Sequence, residues 1–281
     1  MADSAPPIAH DVSGTAFVVN LSRARQVELS GDTYAHLWVT PETQALWDEL
    51  AREVYPHDDV SLSLRNRFYL TRLRAFVAAH PTPTFVNLGA GFTSYPQLLD
   101  ARCHAVEVDM PVIVATKQAR VDAWVADGTL PRRQLTFFAA DLMRPDDLMR
   151  LATALRTWCA GPSFVLMEGL VYYLSRDVLA QLFAMLAAAQ QPGSMVAFEY
   201  WPTDAARYAV YRRLGEYLAR RFGRPDRAYT LLDAASVRTI PGYTVVETSD
   251  VAAEERDHAT TRVLQGIDER LPIDFVVLRR D

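Results

Sequence analysis

The chain has few of the residues that build disulfides and metal sites. Cys103 and Cys159 are its only cysteines. Both lie in apolar stretches, which predicts reduced core thiols and a cytoplasmic location. The six histidines and two cysteines show no metal-ligand spacing. The sequence therefore predicts neither a disulfide scaffold nor a bound metal.

Basic charge and long apolar runs are also missing. Acidic residues outnumber basic ones by 34 to 29, for a net charge of −5, and Lys117 is the only lysine. This balance gives no general attraction to nucleic acid or to an anionic membrane. No uncharged apolar run reaches the roughly 18 residues of a membrane-spanning helix. The first seven residues, acidic and proline-rich, do not resemble a secretory signal. We therefore expect neither nucleic acid nor a membrane as a partner.

Residues 1–80 read as helical after a loose tail over residues 1–15. Thr40 is placed to cap a helix that has Pro41 in its first turn. A second helix is predicted over residues 62–79, and Pro56 separates the two. We interpret residues 1–80 as a tail and a helical cap over a ligand site, and residues 81–281 as the core.

Residues 81–281 alternate between apolar runs and helical patterns, which is typical of a doubly wound, Rossmann-like α/β sheet. Seven strands are predicted, with the last two as a possible hairpin. They cover residues 84–88, 104–108, 135–139, 163–167, 195–200, 243–248 and 275–278. A long helix after the fifth strand is predicted to end at Gly223-Arg224-Pro225.

Glycine or acidic residues follow four consecutive strands. They are Gly89-Ala90-Gly91, Glu107 with Asp109, Asp141, and Glu168-Gly169. Ligands of open parallel sheets bind at the carboxyl ends of the strands, and Asp109 stands twenty positions after Gly89, where a ribose-binding carboxylate is expected. Taken singly, each feature is a common turn or helix cap. Together they predict a site for an adenosine-containing ligand.

The residues after the glycine loop distinguish two such ligands. The loop continues Phe92-Thr93-Ser94-Tyr95 without a third glycine, and the nearby acids would repel a pyrophosphate. A sulfonium is positively charged and suits acids and aromatic rings better. This favours S-adenosylmethionine, and hence a methyltransferase, over NAD. A NAD-dependent oxidoreductase and a non-catalytic protein that binds S-adenosylmethionine stay open as alternatives.

Four motifs, in order, resemble the leucine carboxyl methyltransferase family, which includes bacterial O-methyltransferases of polyketide and peptide natural products. They begin at Asn66 (NRFYLTR), Val86 (VNLGAGF), Val106 (VEVDMP) and Glu168 (EGLVYYL). The resemblance implies a class I methyltransferase that uses S-adenosylmethionine and needs no metal. It also implies O-methyl transfer to a carboxylate or hydroxyl of a small molecule or peptide in secondary metabolism.

Carried over to this sequence, the resemblance assigns most of the cofactor site. Arg67 would contact the methionine carboxylate, Asp109 the ribose, Asp141 and Leu142 the adenine, and Glu168 the methionine amine. The complete cofactor-binding set is Arg67, Gly89, Ala90, Gly91, Glu107, Asp109, Met110, Asp141, Leu142, Glu168 and Gly169. Two family features have no counterpart here: an Asp-Thr-Arg sequence after the glycine loop and an N-terminal lysine.

The acceptor side is less determined. A carboxylate acceptor is ionised at neutral pH and needs no base, whereas a phenol benefits from one. Candidate catalytic residues are Tyr34, His36, Tyr173 and Tyr200, and candidate substrate-binding residues are Arg72, Tyr173, Tyr200 and Trp201. A purely structural role is the commoner one for a histidine such as His36. The sequence identifies no catalytic base, no specific acceptor and no oligomeric state.

Overall fold

The computed structural model describes residues 12–222 and 229–281. Its strands are β1 Thr84–Leu88, β2 His104–Asp109, β3 Gln134–Ala139, β4 Ser163–Met167, β5 Met195–Tyr200, β6 Tyr243–Asp250 and β7 Asp274–Arg280. Its α-helices are α1 Val12–Arg25, α2 Val27–Ser30, α3 Pro41–Glu53, α4 Asp58–Ala79, α5 Tyr95–Leu98, α6 Pro111–Ala126, α7 Pro145–Trp158, α8 Arg176–Ala189, α9 Ala209–Phe222, α10 Ala234–Arg238 and α11 Val251–His258.

The strands form one sheet in the order β3-β2-β1-β4-β5-β7-β6. Strands β1 to β5 are parallel, and β7 runs antiparallel to both β5 and β6. The carboxyl ends of β1 to β5 therefore meet at one edge, and the strand order reverses between β1 and β4, where such sheets bind ligands. The predicted class, a doubly wound α/β fold with seven strands, is confirmed.

Helices cover both faces of the sheet, which explains why the central strands are continuous apolar runs. All five residues of β1 are buried. Because side chains alternate along a strand, Phe85 belongs to a cluster with α4 on one face, and Val86 packs with α7 and α8 on the other.

The capping residues in the sequence predicted the start of helix α3 correctly. Thr40 and Thr43 form a reciprocal cap, in which Thr43 N donates to Thr40 Oγ1 (3.3 Å) and Thr40 N donates to Thr43 Oγ1 (2.8 Å). Helix α4, however, begins at Asp58 and not at residue 62. Acidic residues in a first helical turn are stabilised by the helix dipole, and Asp58 and Asp59 occupy that turn.

Helix α11 was not predicted, and it changes the connection between the last two strands. Asp250 caps it by accepting from Ala252 N (2.7 Å) and Ala253 N (2.9 Å). Strands β6 and β7 do pair antiparallel, but this helix and a long loop join them, so they form no tight hairpin. The predicted helix end at residues 223–225 lies outside the described residues. So does most of the predicted tail, whereas residues 12–15 belong to α1.

Helix α4 connects the N-terminal helices to the sheet. Near its middle Phe68 stacks on Phe275 of β7 with ring centroids 5.0 Å apart, and farther along Phe76 meets Phe164 of β4 at 5.7 Å. Its first turns lie instead over the carboxyl ends of the strands, beside α1 and α3. The division of the chain at residue 80 stays a prediction. Within the described residues, no helix is both long and apolar enough to cross a membrane.

Candidate active site

A cavity of about 310 Å³ lies at the carboxyl ends of the parallel strands. Its strand-end half is lined by Gly89, Gly91, Asp109, Met110, Ile113, Ala140, Asp141, Leu142, Met143, Glu168 and Gly169. Its helical half is lined by Val18, Val19, Leu46, Leu50, Tyr55, Asp58, Leu62, Leu214, Tyr217, Leu218, Leu271 and Ile273. Arg23, Arg65, Glu199 and an aromatic wall also line it. The polar strand ends and the apolar helical half therefore share one continuous cavity.

The glycine loop brings bare backbone to the floor of the cavity. Gly89 has φ +70°, and a Cβ there would lie 3.2 Å from a side-chain carbon of Leu170. The amides of Gly89 and Ala90 both donate to Val108 O, at 2.8 and 3.1 Å. A side chain at position 89 would thus be strained by its backbone angle and crowded by Leu170.

Asp109 is held at the tip of β2 by backbone amides. Its Oδ2 accepts from Gly91 N and its Oδ1 from Met110 N, each at 2.7 Å. Burial raises the pKa of this carboxyl above its ordinary value, against the opposing effect of the two amides. A carboxylate oxygen can accept more than one hydrogen bond, so Asp109 keeps capacity for ligand hydroxyls.

Asp141 could have been only a helix cap, and the structure excludes that role. Residue Arg144 occupies the N-cap position of α7. Asp141 instead accepts from Met143 N at 2.9 Å and lines the cavity beside the buried Leu142.

Glu168 lies in a buried charge cluster that the sequence did not reveal. It accepts from Arg23 Nη2 (2.6 Å), Arg65 Nε (2.8 Å) and the hydroxyl of Tyr95 (2.8 Å). Burial alone would raise the pKa of Glu168, but the two arginines outweigh it and hold the pKa below its ordinary value. Glu168 is therefore a carboxylate with fixed orientation at neutral pH.

Glu199, near the end of β5, extends this cluster. It accepts from Arg65 Nη1 (3.0 Å), Tyr69 Oη (3.0 Å) and Gly169 N (2.5 Å). Burial raises its pKa, only partly countered by Arg65, and neighbouring Glu168 raises it further. Arg65 thus joins two strand ends through one guanidinium.

Arg23 has donor capacity that its described neighbours do not use. Its side chain is fully buried and lines the cavity. Within the described part of the chain, its Nε and Nη1 have no hydrogen-bond acceptor, although Nη1 lies 3.7 Å from Asp32 Oδ2. Buried guanidinium donors normally have acceptors. This pair is suited to a ligand carboxylate, such as the one in the methionine part of S-adenosylmethionine.

Eight of the eleven predicted cofactor residues line this cavity: Gly89, Gly91, Asp109, Met110, Asp141, Leu142, Glu168 and Gly169. Arg67 lies outside it, with its guanidinium 3.5 Å from the carbonyl oxygens of Glu28 and Leu29. Glu107 is buried against Lys117, whose Nζ donates to it at 2.7 Å. Ala90 also does not line the cavity.

Two of the predicted acceptor-side residues line the cavity and four do not. Tyr173 and Trp201 line it. Tyr34 packs beside Trp38, and His36 is exposed. Arg72 is paired with Glu247, its Nε at 3.1 Å, and Tyr200 belongs to the core cluster on the far face of the sheet. The predictions for these four residues therefore do not fit the cavity.

Sequence comparison decides the family. A model of the family described as leucine carboxyl methyltransferase matches residues 2–187, more than half of the chain. The chain belongs to this family. The resemblance drawn from the four motifs is thereby confirmed.

Curated relatives agree with this membership. A Mycobacteroides abscessus protein, provisionally named an S-adenosyl-L-methionine-dependent methyltransferase, is 29% identical over 219 residues, covering 70% of this chain and 67% of its own. A Mycolicibacterium smegmatis protein with the same name is 27% identical over 234 residues, covering 83% of this chain and 70% of its own.

Solved structures share the fold. A provisionally named methyltransferase from Thermobifida fusca has a TM-score of 0.68 at 17% identity, covering 99% of this chain and 100% of that one. A DUF574 family protein from Streptomyces avermitilis has a TM-score of 0.62 at 18% identity, covering 95% and 97% of the two chains. At these identities the likeness shows the fold alone.

This member of the leucine carboxyl methyltransferase family is an S-adenosylmethionine-dependent methyltransferase. The oxidoreductase alternative is therefore set aside. Among the described residues, no group of three or more His, Cys, Asp or Glu side chains could hold a metal ion.

Proposed function

We propose that this protein is an O-methyltransferase that modifies a carboxylate or hydroxyl of a small molecule or peptide in secondary metabolism. The observation that carries the proposal is the single cavity, in which acidic strand ends continue into an apolar, aromatic chamber. Such a cavity can hold a charged methyl donor and an apolar acceptor side by side.

The cofactor would bind in the strand-end half. Asp109 would accept from the ribose hydroxyls, and Asp141 with Leu142 would contact the adenine. Glu168 would face the methionine amine, because it is the carboxylate held ionised there. For the methionine carboxylate we propose Arg23 and Arg65 in place of Arg67, since both line the cavity and Arg67 does not. Arg23 would then contact the cofactor in place of the N-terminal lysine that some family members use for this purpose.

Bound S-adenosylmethionine would supply an electrophilic methyl group on a sulfonium. The acceptor would bind in the helical half, which we assign to α1, α3, α9 and the first turns of α4 as a cap. Its apolar walls exclude water and so strengthen the attraction between an anionic nucleophile and a cationic donor. The protein's main contribution to such a displacement is alignment of the two reactants.

The composition of the cavity supports an apolar acceptor, because its helical half is lined mostly by aliphatic and aromatic side chains. A cytoplasmic location remains part of the proposal, supported by two buried free thiols at Cys103 and Cys159.

Calorimetric titration tests the cofactor assignment. We expect S-adenosylmethionine and S-adenosylhomocysteine to bind with micromolar affinity and NAD(H) not to bind. Arg23→Met should weaken binding of both sulfur compounds, whereas Arg67→Met, the same substitution outside the cavity, should not. Binding of NAD(H) alone, or equal effects of the two variants, would contradict the assignment.

Product analysis separates an enzyme from a protein that only binds the cofactor. Purified protein with S-adenosylmethionine and a panel of aromatic and aliphatic acids and alcohols should give a product heavier by one methylene, detected by mass spectrometry. Cofactor binding without any methylated product across the panel would favour the binding protein.

A further inference from the structure

One face of α4 runs from the helical half of the cavity to the strand ends. Asp58, Leu62 and Arg65 follow at spacings of four and three residues, so they share this face, and all three line the cavity. Arg65 is bonded to Glu168 and Glu199 at the strand ends. At about 1.5 Å per residue, Asp58 lies about 10 Å farther along the helix axis. It therefore faces the chamber proposed for the acceptor.

Asp58 is the only charged side chain among the residues that define the helical half. It is buried, with 6% exposure, and its Oδ1 accepts from the hydroxyl of Tyr55 at 2.8 Å. Of the residues that the structure describes, none donates a hydrogen bond to Oδ2 and none forms an ion pair with it. A buried carboxylate normally has such partners. Its second oxygen is therefore available to a group inside the cavity.

The chamber also has flat walls. Tyr172 and Trp201 stack with ring centroids 4.2 Å apart and planes within 1° of parallel, and Tyr173 lies 4.7 Å from Tyr172. All three line the cavity. Such walls suit a planar ring, which gains most from stacked or edge-on contact with other aromatics.

We propose that Asp58 is the catalytic base and that the acceptor is a hydroxyl on an aromatic ring, an inference that rests on the methyltransferase function proposed above. A carboxylate acceptor would meet the Asp58 carboxylate in a helical half whose described lining contains no cation, which is unfavourable. Arg65, on the same face of α4, is already bonded to Glu168 and Glu199. A neutral hydroxyl can donate to Asp58 Oδ2 and stack on the aromatic wall.

The proposed step conserves atoms and charge. The hydroxyl proton passes to Asp58 Oδ2, while an oxygen lone pair forms the new bond to the methyl carbon. The electron pair of the broken carbon–sulfur bond stays on sulfur. One carboxylate and one sulfonium thus become a carboxylic acid and a neutral thioether, and the acceptor becomes a methyl ether.

The protonation behaviour of Asp58 supports this role. Burial raises its pKa to about 6, with nearby Asp59 adding to the effect and Tyr55 and Arg65 opposing it. A base is most effective when its pKa is close to the working pH, since it is then both ionised and sufficiently basic. The rate with a phenol should therefore rise with pH through about 6 as Asp58 ionises.

The test uses the full chain and three probes with one ring system: 7-hydroxycoumarin, 7-aminocoumarin and coumarin-7-carboxylic acid. With S-adenosylhomocysteine at saturation, binding is followed by fluorescence, and the excitation spectrum of 7-hydroxycoumarin separates phenol from phenolate. With S-adenosylmethionine, methyl transfer is followed by product mass.

The variant is Asp58→Asn, and the matched control is Asp59→Asn. Asp59 does not line the cavity, and its carboxylate contacts Gln26 (3.1 Å) and Arg25 (3.4 Å).

We expect 7-hydroxycoumarin to bind and to be methylated. In the wild-type complex it should ionise at a higher pH than in Asp58→Asn, because the Asp58 carboxylate accepts from the phenol and repels the phenolate. Asp58→Asn should lower the methylation rate about 100-fold or more, within the usual range for a lost general base, and remove the rise through pH 6. Asp59→Asn should keep both the rate and the rise, with the rise moved to a lower pH because Asp59 no longer raises the pKa of Asp58.

Three results would overturn the inference. The acid or the amine could bind or be methylated in preference to 7-hydroxycoumarin, or 7-hydroxycoumarin could fail to bind. The dependence of the methylation rate on pH could also be the same in Asp58→Asn as in the wild type. If S-adenosylhomocysteine binds in these cases, the proposed methyltransferase site stands and only the assignment of Asp58 fails. If S-adenosylhomocysteine does not bind, the proposed site itself fails.

Discussion

Replacing Asp58 with asparagine should make the fold more stable at neutral pH. Burial raises the pKa of Asp58 from 3.8 to about 6, so the folded chain holds this proton more tightly than the unfolded chain. For a group with a raised pKa, the stabilisation is complete below the unfolded pKa and is lost as pH rises through the folded one. At pH 7 to 8 the ionised side chain therefore reduces stability.

The magnitude follows from that shift. A change from 3.8 to about 6 corresponds to about 3 kcal/mol at about 1.4 kcal/mol per unit. Asparagine removes the charge and still accepts from Tyr55, but its buried amide requires a partner, which costs about 1 kcal/mol or more. We therefore expect Asp58→Asn to raise the free energy of unfolding by about 1–2 kcal/mol at pH 8.

Urea denaturation at several pH values between 4 and 8 measures this difference. The advantage of Asp58→Asn over wild type should grow with pH through the interval 4 to 6 and then level off. Asp59→Asn should instead lower stability, because Asp59 is bonded to Gln26 and Val60 N. An Asp58→Asn variant that is less stable at pH 8, or a difference that does not change with pH, would refute this account of Asp58.

Three further variants test the rest of the site. Asp109→Ala should weaken S-adenosylhomocysteine binding by about 1–3 kcal/mol in calorimetry, because ligand hydroxyls and two amides lose their acceptor; unchanged affinity would exclude Asp109. Arg65→Met should lower the free energy of unfolding by about 3–5 kcal/mol in chemical denaturation, because it leaves Glu168 and Glu199 buried with fewer partners. A loss below about 1 kcal/mol would contradict a stabilising role of the charge cluster. Gly89→Ala should lower the free energy of unfolding by about 1–2 kcal/mol from its left-handed backbone angle alone. An unchanged free energy of unfolding in the same assay would contradict the expected backbone strain at position 89.

Secondary structure was predictable where signals are local. Strands β1, β4 and β5 have the predicted limits, because apolar runs bounded by turn residues act within a few residues. The connection through α11 was missed, because its cap at Asp250 directly continues the last residues of β6 and leaves no turn in the sequence.

The choice between two neighbouring arginines was not predictable in the same way. Arg65 and Arg67 are two positions apart, so they project from nearly opposite sides of α4. The motif begins at Asn66, so it contains Arg67 and not Arg65, and only the packing of α4 on the sheet decided that Arg65 faces the strand ends. The same reasoning applies to adjacent residues at the end of β5, where Tyr200 lies in the core and Trp201 lines the cavity.

The family, the sheet and the strand-end residues follow from the amino-acid sequence, because each of these depends on short stretches with fixed internal spacing. Which side chains meet in the cavity depends on how the chain packs. Arg23 and Glu168 are 145 positions apart and Arg65 and Glu199 are 134 apart, so no local pattern links them. Asp58 likewise became a candidate base only when α4 placed it in an apolar chamber. Burial and charge pairing, which set the chemistry of these groups, are properties of the folded chain.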